Sequence, residues 1–204
     1  MNDLYRALGD ISSIRKQMAR TTEFRGYGPA TLAGTGLLAL LAGVVQRIWV
    51  PTPANHISAY LSIWISTAVL SATLAGVQMY TRTRRIHSGL SNEMLRLAVE
   101  QFLPSVGAGL FLTIVMVHYV PAVSWMLPGM WQIIFGLGVF SSCRFLPRPM
   151  IAAGTWYVLT GLGCIAMGGN AAFSPWAMGI PFGVGQLLVA AILQLNASED
   201  GDEV

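Results

Sequence analysis

Acidic side chains are missing from most of the second half of this chain: between Glu100 and Glu199 there is none, and the only basic residues there are Arg144 and Arg148. Between Arg25 and Arg82 the one strongly charged residue is Arg47. Charged residues make up 10% of the whole, against about 25% in an average soluble domain. A water-facing surface cannot be built from so little charge. Cysteine is equally scarce. Cys143 and Cys164 fall in different apolar stretches and toward opposite ends of them, which excludes a disulfide framework. His56, His87 and His118 have no neighbouring carboxylate or thiolate, so no metal site is expected. Interfacial polarity accounts for them, with pH sensing by His56 and His118 as the alternative. Neither HExxH, GxSxG, a P-loop nor CxxC occurs, and no Asp pair falls in neighbouring stretches. An enzyme is therefore not expected, nor is a cofactor.

Apolar residues are abundant, at 54% of the 204 positions. They form six long runs: Pro29 to Val50, Ile57 to Tyr80, Leu97 to Val120, Trp125 to Phe145, Pro149 to Met167 and Trp176 to Leu195. Each approaches the roughly 20 residues that carry a helix across a bilayer. The runs are apolar on every side, whereas barrel strands alternate, so the expected fold is all-α, a polytopic bundle of six transmembrane helices. Orientation follows from the basic residues, which are retained on the cytoplasmic side. Arg6, Arg15, Lys16, Arg20 and Arg25 precede the first run, Arg82, Arg84, Arg85 and Arg96 lie between the second and third, and Arg144 and Arg148 lie between the fourth and fifth. Eleven of the twelve basic residues thus share one side, leaving Arg47 opposite. The pattern predicts a multi-pass protein of the cell (inner) membrane with both termini cytoplasmic. It also explains the net charge of +3 without nucleic-acid binding.

The chain divides into a cytoplasmic amphipathic helix and linker at 1–28, the membrane domain at 29–195 and an acidic, disordered tail at 196–204. In residues 3–22, Leu4, Leu8, Ile11, Ile14 and Met18 recur every three or four positions, an amphipathic helix pattern. It suits binding to the inner leaflet, joining of two copies as a homo-oligomer, or docking of a protein partner. The N-terminus lacks the apolar core and cleavage site of a secretory signal and is expected to remain on the mature protein.

The odd-numbered runs share a start signature. Pro29, Pro104 and Pro149 are each followed five residues later by glycine, at Gly34, Gly109 and Gly154. Runs four and six share FGLG from Phe135 and FGVG from Phe182. Proline suits the first turn of a helix, so these prolines mark where odd helices are expected to enter the membrane. Glycines one turn deeper allow close backbone approach. The result is three repeated helical hairpins. In this respect Pro29 to Leu195 resembles the bacterial acid-resistance membrane proteins of the HdeD type, six-helix chains of three hairpins with glycine-rich odd helices. The resemblance implies a bundle of pseudo-threefold character and assigns no functional residue.

Five polar residues are candidates for a buried site. Glu100 is the one acidic residue in any span and is expected at the cytoplasmic interface, with Arg96 or Arg144 as its partner. An ion pair that fixes packing is favoured over a proton or cation site. Gln132 and Gln186 lie one turn from the FGxG elements, where amides either line a polar pathway or bond across helices, the latter favoured. The leading reading is a non-enzymatic membrane scaffold, sensor or partner-binding protein. The alternative is a small transporter or channel component with a path near Glu100, Gln132 and Gln186.

Overall fold

The computed structural model describes residues 28–85, 89–143 and 149–199. The amphipathic stripe of residues 3–22, Arg144, Arg148 and residues 200–204 lie outside the described residues, as does the side chain of Arg96. Within them all regular structure is helical. Six long helices follow in order: α1 (Pro29–Trp49), α2 (Ile57–Arg85), α3 (Gly89–His118), α4 (Leu127–Ser142), α5 (Met150–Met167) and α6 (Pro175–Glu199). A 3-10 segment (Pro121–Met126) precedes α4, and a one-turn helix (Gly169–Ala172) precedes α6. All six long elements include a stretch long and apolar enough to cross a bilayer, the fourth and sixth counted with the short element that leads in. This is an integral membrane protein.

The helices pack in the order α2, α1, α6, α5, α4, α3, and the contact between α2 and α3 is the thinnest. Two interfaces are glycine-lined and antiparallel. In α4 and α5, glycines recur every seven residues, Gly129 with Gly136 and Gly154 with Gly161, which returns them to one face after two turns. A Cβ at Gly129 would stand 2.6 Å from the carbonyl oxygen of Gly161, and a Cβ at Gly161 would stand 2.6 Å from that of Gly129. The α1–α6 interface uses the same spacing in Gly36 and Gly43. A Cβ at Gly36 would lie 3.0 Å from the Gly183 carbonyl, and one at Gly43 would lie 3.1 Å from that of Pro175. These backbones touch because no side chain separates them.

The pairing corrects two sequence expectations. Gly34 and Gly109 meet no neighbouring atom, and of the start-signature glycines only Gly154 is packed. The structural counterpart of Gly154 is Gly36, since Gly154 meets Gly136 of FGLG and Gly36 meets Gly183 of FGVG. At about 100° per residue, Gly34 points some 200° away from Gly36. Likewise Pro29 occupies the first turn of α1, but Pro104 lies in the interior of α3. That helix runs on unbroken from Gly89, well before the proline.

Helices α2 and α3 differ from the rest. At 1.5 Å per residue, their 29 and 30 residues span about 44 Å, more than the roughly 30 Å of bilayer hydrocarbon. Their candidate spans stop at Gln78 and start at Val99, so the excess projects from the end of the bundle where the basic residues cluster. Only 11% of the α2 span and 6% of the α3 span are buried, against 33% or more in the other four. The protein is thus a core of α1, α4, α5 and α6 with a lipid-facing flank.

Candidate functional site

Opposite the basic end, the chain turns sharply at Gly168 and Gly169, whose positive φ values of 67° and 47° favour glycine. The one-turn helix that follows ends at Ala172, and α6 begins at Pro175. Ends of helices leave carbonyls without intrahelical donors, and in lipid each must be satisfied within the protein. Side chains from two different helices do this here. Gln46 of α1 donates from Nε2 to the Phe173 carbonyl at 2.8 Å. Cys164 of α5 donates its thiol weakly to the Ala172 carbonyl at 3.6 Å. Both ends of the Gln46 amide are engaged, because Trp64 Nε1 of α2 donates to its Oε1 at 2.7 Å.

Inside α6 the cause is proline. Pro181 has no N–H, so the carbonyl four residues earlier, that of Ala177, has no helical donor. Gln132 of α4 supplies one: its Nε2 donates to Ala177 O at 2.8 Å, with Met178 Sδ 3.7 Å away. The Pro181 carbonyl in turn accepts from Trp156 Nε1 at 2.9 Å. Gln46 and Gln132 are both fully buried. Each therefore ties a different helix to the loop and first turns of α6.

Around this polar belt lies an aromatic core. Tyr60, wholly buried, stacks on Trp131 and meets Phe173 edge-on at 5.1 Å. Nearer the basic end Phe135, Tyr157 and Phe182 form a triangle with centroid separations of 4.8, 5.2 and 5.4 Å. The two FGxG phenylalanines thus meet at the bundle centre, and their glycines carry the two backbone-to-backbone interfaces.

The sequence candidates separate. Gln132 sits in the polar belt. Gln186 is half-buried on the other side of the aromatic triangle, with its Cβ against Gly36 and its side chain acting on the Tyr157 hydroxyl without a well-formed hydrogen bond. Glu100 is exposed at the start of the α3 span and does not join them. Gln46, Tyr60 and Trp64 were not candidates. An amide toward the end of the first span, directly before Arg47, is the available signal for Gln46. Trp64, Trp131 and Trp156 direct their N–H groups to partners within the bundle. Both cysteines are free. Among the described residues no group of three His, Cys, Asp or Glu is placed to hold a metal ion.

Neither a protein-family model, a curated protein nor a solved structure matches this chain.

Proposed function

We propose that this protein is a non-enzymatic membrane scaffold that presents the extended α2–α3 flank and residues 3–22 on the cytoplasmic side. The close packing of the core carries this reading. Backbones meet at Gly129 and Gly161 and at Gly36 and Gly183, and the aromatic triangle occupies the centre between them. The buried amides of Gln46 and Gln132 are spent on helix-end and proline-freed carbonyls. The ends of α2 and α3 that outreach the bilayer are placed to meet another chain.

A photo-crosslinker placed at Leu8 or Ile11 of the full-length protein in its native membrane tests this reading. The expected products are protein adducts, either with a second copy or with one discrete partner. Adducts with lipid alone would remove the partner-binding role and leave a leaflet anchor.

One observation favours a transporter as a second reading. Three buried polar atoms, Tyr60 Oη, Gln132 Oε1 and Tyr157 Oη, have no hydrogen-bond partner, and the aromatic triangle separates the first two from the third. In purified vesicles the scaffold reading expects no pH-dependent ion flux. A flux that Glu100→Gln abolishes while leaving the fold intact would replace the scaffold with the transporter.

The proposed orientation, with both termini cytoplasmic, rests on the eleven-to-one basic asymmetry. Reporter fusions after Arg25, Arg85, Arg148 and Val204 are expected to read cytoplasm. Fusions at Asn55, Ala122 and Asn170 are expected to read the opposite side, and an exported C-terminus would refute the arrangement.

A further inference from the structure

A buried phenol without an acceptor and a buried amide oxygen without a donor occur together in the polar belt. Tyr60 of α2 and Gln132 of α4 are both 0% exposed, and Tyr60 Oη and Gln132 Oε1 are unpaired. They share neighbours. Tyr60 packs in one cluster with Met178, whose sulfur lies 3.7 Å from Gln132 Nε2. Cys164 packs in one cluster with Ala177, the residue whose carbonyl Gln132 binds.

The amide orientation is fixed by chemistry. Turning Gln132 over would set its oxygen against the Ala177 carbonyl oxygen, so Nε2 must face Ala177 and Oε1 must face away. An orphaned donor and an orphaned acceptor that share Met178 as a neighbour are each costly in a medium without bulk water. A group that accepts from one and donates to the other removes both costs. Water is the smallest molecule that does so, and buried waters in proteins serve such pairs.

We propose that one ordered water is bound between Tyr60 and Gln132, accepting the Tyr60 hydroxyl proton in a hydrogen bond and donating to Gln132 Oε1. The site joins α2, otherwise the loosely held flank, to α4 and through Ala177 to α6. Phe182 of the aromatic triangle packs against the cluster that holds Tyr60 and Met178, which suits a structural ligand rather than a passing one.

X-ray radiolytic footprinting of the intact wild-type protein in oxygen-18 water tests this, because radicals generated at a bound water label only the side chains beside it. Tyr60 and Met178 are expected to take up oxygen-18, whereas Met150, equally buried at 2% exposure but outside this cluster, is not. Tyr60→Phe removes one oxygen and is expected to lower the thermal midpoint by several degrees. In the Gln132→Met background the same change is expected to lower it much less. Unlabelled Tyr60 and Met178 would overturn the proposal, including where the two substitutions are coupled, since coupling without label means direct contact. A midpoint that Tyr60→Phe leaves unchanged or raises would overturn it as well.

Discussion

Gly161→Ala is expected to destabilise the bundle strongly, while Gly163→Ala, two residues further along α5, leaves it as stable or makes it slightly more so. The new methyl at Gly161 would lie 2.6 Å from the Gly129 carbonyl oxygen and 2.8 Å from Ile133 Cγ1. The first contact is with backbone, which cannot rotate away, so α4 and α5 must separate. Overpacking of this kind costs about 1–3 kcal/mol and sometimes more. It outweighs the roughly 1 kcal/mol that alanine gains over glycine in a helix. At Gly163 nothing lies within 4 Å, so the propensity gain stands alone. Gly129→Ala should match Gly161→Ala, since the two contacts are reciprocal. Thermal midpoints of the purified variants in one detergent decide the matter. Equal midpoints for Gly161→Ala and Gly163→Ala would mean that the α4–α5 backbones are not in contact.

This pair of glycines also marks where the sequence stops being readable. Spans and helical class follow from charge placement and apolar run length, because the cost of an unpaired polar group in lipid acts locally along the chain. Which glycine packs does not follow, because it depends on the rotation of each helix against its neighbour. The shared start signature aligns Gly34 with Gly154, yet Gly36 is the one that meets Gly183. A difference of two residues, about 200° of rotation, separates a packed glycine from one facing open space. The polar belt was legible only in part. Pro181 announces an unsatisfied carbonyl at Ala177 from sequence alone, and Gln132 stood out as a polar residue in a span. That the second answers the first is a tertiary fact, fixed by how α4 lies against α6. Nothing in the sequence marks Tyr60, and its complete burial comes from Trp131 and Phe173, brought against it from α4 and the loop before α6.

The link between Gln132 and Pro181 yields the sharpest test of how α6 is held. If Gln132 serves chiefly to replace the hydrogen bond that proline removes, then the cost of losing it must depend on the proline. Gln132→Met in the native chain leaves the Ala177 carbonyl buried without a donor, a loss of about 1–3 kcal/mol. Pro181→Ala restores an N–H at position 181, four residues beyond that carbonyl, so the helix can satisfy Ala177 by itself. In that background Gln132→Met is expected to cost markedly less, and the cycle of four proteins should show a coupling of about 1–3 kcal/mol. A water shared with Tyr60 would cost the same in both backgrounds and cancel in the cycle, which isolates the carbonyl. Pro181→Ala alone is expected to be tolerated, since a helix interior disfavours proline by about 3 kcal/mol relative to alanine. If Gln132→Met proves equally damaging with proline or alanine at position 181, the glutamine is not the proline's substitute donor. Its burial between α4 and α6 would then require a different cause.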